Sequence, residues 1–403
     1  MDRSALSGRN EPVNPDRSLE KLKVVWVHPT HFDGELSAAT YLETTRELRE
    51  MGCDVTLIAS GTDGRQEHRG VEVLCISQPD VYFVRQMIFH LRVIRWLLAH
   101  WRDTDAILFH EISTLWMLPL RWVRRLRNTH TPVLVMDTRT VHMPREDTQT
   151  LKIYLRGVFL DIMTRLANRW ADGRTAITRR MATEVKIPQH KLWGIWPSGV
   201  HLEQFALAQT SRRWPSPDDP VHIIYVGVME YERGLMTFCR AVVQAQAEGM
   251  RFIFTLVGDG RERADLERFA ATTDCVRVLP PVPHEQIPHM LAQAHIGVLP
   301  FPNETKFQVS SPIKLFEYMA AGLPILATKI ACHTDVIGEG DYVFWAEQTD
   351  EDGLLAALRC AWASRGSLPE MGSRAAAESD AWTWRAAAEK LKRSLEYGLA
   401  QRT

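Results

Sequence analysis

Two periodicities alternate along the chain. KVVWVHP (23–29), DVTLIAS (54–60), VEVLCIS (71–77), AILFHE (106–111) and PVLVMDT (132–138) are short apolar runs with the length and branched content of buried strands. Between them, apolar residues recur every three or four positions over 37–51, 83–101 and 151–170, which predicts helices. AITRR (176–180) and KLWGIWP (191–197) read as closing strands of the first half. A polar segment, ALAQTSRRWPSPDDP (206–220), reads as a linker, and the alternation then restarts. Strands are expected at 222–227, 252–258, 276–279, 296–301 and 324–328. Helices are expected at 235–248, 262–272, 285–293, 313–321, 351–364 and 384–400. Strands separated by helices of this length predict βαβ units, hence an α/β fold with two consecutive parallel sheets. Ligands of such sheets bind at the carboxyl ends of the strands.

The length of 403 residues favours two domains over one core. The boundaries follow the pattern: a disordered polar lead over 1–20, an N-terminal domain over 21–205, a C-terminal domain over 206–380, and a last helix over 381–403 that returns toward the N-terminal domain. No apolar run approaches the ~20 residues of a membrane span. The six cysteines are scattered without a C-x-x-C pair, which disfavours a disulfide framework or zinc site and suits a reducing cytoplasm. Residues 1–205 hold 28 basic against 24 acidic side chains, and the second half reverses the sign, so an anionic partner would meet the N-terminal half. Two basic stretches there stand out. In 83–101, Met87, Leu91, Ile94, Leu98 and Trp101 form one stripe, with Arg85, Arg92, Arg95 and Arg102 beside it; 116–128 adds Arg121, Arg124, Arg125 and Arg127. Such stretches suit peripheral contact with an anionic membrane; the alternative is a core stripe with a solvated basic face. Nothing points to nucleic acid.

The most informative stretch is SSPIKLFEYMAAGLPILAT (310–328). Ser311 is placed as a helix N-cap and Pro312 as the first helical residue. The free amides and partial positive charge of that helix end favour a phosphate, and Lys314 in the first turn can reach the same group. Glu317 shares a face with Lys314 and can accept hydrogen bonds from a ribose diol. The alternative is a well-capped αβ unit with a surface Glu–Lys pair. Gly34 in FDGE would let a loop backbone approach a phosphate closely, or is a plain turn glycine. Glu285 is a nucleoside-binding candidate, or simply a helix-start charge.

The 310–328 block resembles the donor-binding helix of glycosyltransferase family 4, whose members have the GT-B fold. The resemblance extends through HPTHFDGELSAATYLETTRELREMGCDVTLI (28–58), WPSGVHLEQF (196–205), YVGVMEYERGLMTF (225–238), LVGDGRERADLE (256–267) and PHEQIPHMLAQAHIGVLPF (283–301), in that order. It implies two Rossmann-like domains facing across a cleft, and a retaining glycosyltransferase that uses a nucleoside-diphosphate sugar without metal or other cofactor. By the same resemblance, Gly34, Arg233, Ser311 and Lys314 hold the donor phosphates and Glu317 and Glu285 the nucleoside. Three positions depart from the family pattern. Val309 stands where many members have the first of two glutamates, Val228 follows the strand glycine where Arg is common, and Gly34-Glu35 replaces Gly-Gly. Where the family often has a histidine near the reacting sugar, this chain has Asp137 and Arg139, with His142 slightly later.

Asp137, Arg139 and His142 are therefore the catalytic candidates: Asp137 to orient or deprotonate the acceptor hydroxyl, Arg139 to hold it or a phosphate. The competing reading is an Asp–Arg pair that fixes the loop. Asp103-Thr104-Asp105 matches a D-x-D metal motif but precedes a strand, at the wrong end of a sheet for a site. His284, Glu285 and His289 suggest a metal only by residue type. The expected acceptor is a carbohydrate or lipid-linked precursor, as in cell-envelope polysaccharide synthesis, and the expected place is the cytoplasm, with contact at the inner face of the membrane. The rival functions are a nucleotide-sugar epimerase of the same architecture and a non-catalytic nucleotide-sugar-binding protein at the membrane.

Overall fold

The computed structural model describes residues 21–32, 38–126, 131–141 and 151–401. The lead at 1–20, Gly34, Arg127 and His142 lie outside them. The first sheet comprises β1 (Lys23–His28), β2 (Asp54–Ser60), β3 (Gly64–His68), β4 (Val71–Ile76), β5 (Ala106–Phe109), β6 (Val133–Thr138), β7 (Gly173–Ala176) and β8 (Leu192–Ile195). Its order is β3-β4-β2-β1-β5-β6-β7-β8, parallel throughout except for the β3–β4 edge hairpin. The second sheet comprises β9 (Val221–Val226), β10 (Phe252–Val257), β11 (Val276–Leu279), β12 (Ile296–Leu299), β13 (Ile325–Thr328) and β14 (Val343–Ala346). It is all parallel, in the order β11-β10-β9-β12-β13-β14. In both sheets the strand order reverses beside the first strand, between β1 and β5 and between β9 and β12. These are the switch points where a crevice opens outside the strand ends.

Each sheet is buried on both faces, as helical crossovers require. On the first sheet, Val24, Trp26, Leu57 and Val135 pack against Tyr41 and Leu48 of the Ala38–Glu50 helix and Leu391 and Leu395 of the Trp384–Ala400 helix. The opposite face, with Val25, Ile107 and Met136, is covered by the Tyr82–Ala99, Thr114–Leu126 and Leu151–Trp170 helices. The chain crosses between the domains twice, side by side: Val200 donates its amide to Trp382 O at 3.0 Å and accepts from Trp384 N at 3.3 Å.

Several segments differ from the sequence reading. AITRR is not a strand as a whole: Thr178 accepts a hydrogen bond from Met181 N, which caps the Arg179–Glu184 helix and ends β7 at Ala176. The expected linker is helical as far as Ser211, because the Leu202–Ser211 helix buries Phe205 and Ala208, and Arg212 is buried with hydrogen bonds to three carbonyls. The Arg365–Ser367 turn and Leu368–Glu378 helix, with β3 and β14, were not anticipated. No helix of the described residues is long and apolar enough to cross a membrane.

Candidate donor and acceptor site

The C-terminal half of the site is built on β9 and β12. Gly227 follows β9 with φ of 134°, a conformation that favours glycine, and a Cβ there would lie 2.8 Å from Lys314 Nζ, so the lysine tip crosses close to this strand end. Gly234, with φ of 70°, closes the Tyr231–Arg233 turn against Pro300 O just beyond β12. Arg233 and Lys314 thereby converge over the same aromatic wall. The Arg233 guanidinium is 5.3 Å from the Phe301 ring, and Lys314 Nζ is 5.8 Å from that ring and 5.0 Å from Tyr225. Tyr225 is itself pinned by donating to Val228 O at 2.8 Å. Among the described residues no carboxylate lies within ion-pair distance of either cation. Burial, and then the charge of Arg233, push the Lys314 ammonium down from 10.5 to about 7. Two cations crowded together, with no carboxylate at ion-pair distance among the described residues, suit a polyanion.

The helix behind them starts one residue later than its sequence suggests. Pro312 is the N-cap and the helix runs Ile313–Ala320. Ser311 does not cap it; its Oγ accepts the backbone amide of Ser198 in the other domain at 3.2 Å. Glu317 is buried, and its partner is not Lys314 but His284, whose Nε2 lies 3.0 Å from Glu317 Oε1. That bond, more than burial opposes it, raises the His284 pKa. Glu285 next door is exposed on the His284–Gln286 turn, and among the described residues no hydrogen bond or ion pair joins it to the site. In this segment it is therefore His284, which the sequence offers only as a discounted metal ligand, and not Glu285, that meets Glu317.

Val309 has a structural reason. It is buried against Ile177, Met181 and Ala182 of the N-terminal domain, and its carbonyl accepts from Thr178 Oγ1 at 2.8 Å. A carboxylate at this position would be desolvated in an apolar cluster. The 309–311 loop thus bridges the domains, and Arg180 adds an ion pair with Asp335 at 2.7 Å.

Across the cleft, the ends of β1, β5 and β6 gather His28, His110, Glu111, Asp137 and Arg139. His28 is buried between Tyr41 and Phe32, with Nδ1 2.8 Å from Thr30 Oγ1; burial and the neighbouring His110 lower it to about 3, so it is a neutral imidazole. His110 Nε2 lies 2.7 Å from Glu111 Oε2. Neither histidine figured among the sequence candidates, although both stand at strand ends beside the switch point. Asp137 is only 2% exposed; its Oδ1 accepts from Thr175 Oγ1 at 2.6 Å and Trp196 Nε1 at 2.9 Å. Arg139 lies 3.7 Å over the Trp196 ring and 3.8 Å from Asp137 Oδ2. The carboxylate expected to meet an acceptor hydroxyl is therefore turned into the wall, and burial raises its pKa. Asp137 thus holds the Trp196 indole and lies beside the Arg139 guanidinium. The D-x-D aspartates lie at the opposite end of the sheet, where Asp105 Oδ2 accepts the Lys23 amide at the start of β1.

Comparison with known proteins agrees with this architecture. Residues 220–364 match the family model described as glycosyl transferases group 1, and residues 37–186 match a glycosyl transferase 4-like domain. The chain is 24% identical over 212 residues to a protein assigned to colanic acid biosynthesis, glycosyltransferase WcaL of Salmonella typhimurium, covering 51% of this chain and 48% of that one. It is 23% identical over 369 residues to the sulfoquinovosyl transferase SQD2 of Arabidopsis thaliana, covering 86% and 68%. The chain thus spans about half the length of the first relative and two thirds of the second. Among solved structures, sucrose-phosphate synthase of Thermosynechococcus elongatus superposes with a TM-score of 0.73 at 15% identity, over 95% of this chain and all of that one. Anabaena HepE in complex with UDP gives 0.68 at 13%, over 93% and 100%. The two domain matches, one for each sheet, and the shared fold place this chain among the GT-B glycosyltransferases of the group 1 and 4-like kind.

Proposed function

We propose that the enzyme transfers a sugar from a nucleoside-diphosphate donor with retention of configuration and without a metal ion. The observation that supports this best is the pair Arg233 and Lys314 at the β9–β12 switch point, two cations with no carboxylate at ion-pair distance among the described residues. They hold the diphosphate with the Ile313–Ala320 helix end and oppose the charge that grows on it as the glycosidic bond breaks, which is the work a metal does elsewhere. Glu317 reads the ribose. Gly34, which lies outside the described residues, is assigned to the phosphates by the resemblance alone. The acceptor, a carbohydrate or lipid-linked carbohydrate, lies against His28, His110 and Arg139, on the face from which the diphosphate leaves. Its oxygen bonds to the anomeric carbon, the carbon–diphosphate bond breaks, and the departing diphosphate takes the hydroxyl proton. Ser311 acts in this scheme through Ser198, tying the donor helix to the acceptor domain. The enzyme works on the cytoplasmic side, in contact with an anionic membrane, on precursors of cell-envelope polysaccharide. The test is turnover of UDP-, GDP- and ADP-sugars in EDTA, with the anomeric configuration of the product read by proton NMR. An inverted product, or activity that returns only with manganese, would refute it.

A further inference from the structure

The Leu151–Trp170 helix has two apolar stripes, and only one is buried. In its second half Met163, Ala167 and Trp170 enter the core beneath the sheet. In its first half Leu151, Tyr154, Leu155, Val158, Phe159 and Ile162 follow the spacing of a single helical stripe, and all six are 40–72% exposed. The adjacent Thr114–Leu126 helix, packed against it, adds exposed Trp122 and Leu126. A continuous apolar surface of this kind marks an interaction site, since soluble proteins rarely leave one open.

The charge around it selects the occupant. The three helices on this face of the sheet hold ten basic residues and a single acid, Asp161. Arg95, Arg125 and Arg156 are exposed, with no ion-pair partner among the described residues. Arg165 pairs with Asp161. Apolar and aromatic side chains within a basic field, on a helix that lies along the protein surface, match the boundary of an anionic bilayer.

We infer that the first three turns of the Leu151–Trp170 helix, with Trp122 and Leu126, insert into the headgroup region of an anionic membrane. This rests on the membrane contact proposed above but relocates it. In the 83–101 stretch singled out by sequence, Trp101 is buried and Ile94 and Leu98 half-buried, which leaves only Met87 and Leu91 of the stripe exposed, and Arg92 is taken up by Asp63 and Ser77. Arg124 is likewise held by Asp172. The inserting helix follows β6, whose carboxyl end carries Asp137 and Arg139. Insertion therefore holds the acceptor half of the cleft at headgroup level, where a lipid-linked sugar can enter while its lipid stays in the bilayer.

The test is sedimentation of the full chain with vesicles of 30% phosphatidylglycerol in phosphatidylcholine, compared with phosphatidylcholine alone. Wild type should bind the anionic vesicles and release with salt, as surface charges are screened. Leu155→Asp with Phe159→Asp should reduce the partition constant by about 100-fold, since each loses the burial of a large apolar side chain. Leu207→Asp, an exposed apolar position in the Leu202–Ser211 helix, should leave it unchanged. Melting temperature and calorimetric nucleotide binding, measured on the same variants, show that fold and donor site persist. Equal sedimentation of wild type and the double variant overturns the inference. So does a wild-type dimer that the double variant dissociates while neither binds vesicles, which would make this face a contact between copies.

Discussion

Replacing Lys314 by Met keeps most of the side-chain length and removes the charge, and its effects on stability and on binding should have opposite signs. The folded protein holds this ammonium at about 7 against 10.5 for a free lysine, a gap that corresponds to about 4–5 kcal/mol of destabilisation below pH 7. The side chain is only half-buried, and screening by solvent reduces that to about 1–2 kcal/mol. Lys314→Met should therefore raise the melting temperature of the ligand-free protein at pH 6 by about 2–4 °C. Because the native pKa is depressed, the cost of the lysine is full below pH 7 and fades as pH rises toward 10.5. The gain from the substitution should shrink over the same window. The nucleoside diphosphate, in contrast, loses a charged contact worth about 1.5–3 kcal/mol, so its Kd should rise about 10–100-fold. Differential scanning calorimetry at pH 6 and pH 9, together with titration calorimetry, reads both effects. A variant that melts lower than wild type and binds nucleotide equally well would show that Lys314 is a structural lysine, and the phosphate assignment would fall.

Three further outcomes follow from the same geometry. Diphosphate binding should draw a proton onto Lys314 above pH 7, so titrations near pH 8 in buffers of different ionisation enthalpy should reveal proton uptake that Lys314→Met abolishes; no uptake by wild type would contradict the crowded-cation reading. Glu317→Gln should weaken the nucleoside diphosphate and its sugar ester by a similar factor, and should return the His284 titration, followed by NMR, toward its ordinary range, because the carboxylate is the main cause of its elevation; an unmoved His284 together with undiminished nucleotide binding would make the pair a surface contact. Asp137→Ala should cost about 3–5 kcal/mol of stability by leaving Arg139 buried and unpaired, whereas Asp137→Asn should fold and retain substantial activity; an Asn variant that folds as wild type but is inactive would restore Asp137 as a group that meets the acceptor.

The sequence is legible where short-range physics decides the structure. The 310–328 unit is legible because one apolar helix face, a glycine terminator and a proline before the next strand all lie within twenty residues. Its start shifted by one residue because Ser311 Oγ is claimed by Ser198, more than a hundred residues away. Long-range pairing explains the other differences. His284 approaches Glu317 only when two separate elements pack together, and Val309 is intelligible only once Thr178, Ile177 and Met181 of the other domain are beside it. The Gly64–His68 strand escaped notice because an exposed edge hairpin, GRQEH, lacks the apolar run of a buried strand. The stripe at 151–162 was legible as a helix, but its periodicity could not say which side faces solvent.

The most direct test of the account is thermal shift and titration calorimetry of wild type and Arg233→Met with UDP, GDP and ADP in EDTA. One of the three should stabilise wild type and bind with a measurable Kd, since a ligand bound only by the folded state raises its melting temperature. The same nucleotide should bind Arg233→Met at least tenfold more weakly. If none of the three binds wild type, or if the variant binds as tightly, the two cations at the β9–β12 switch point do not form the donor site.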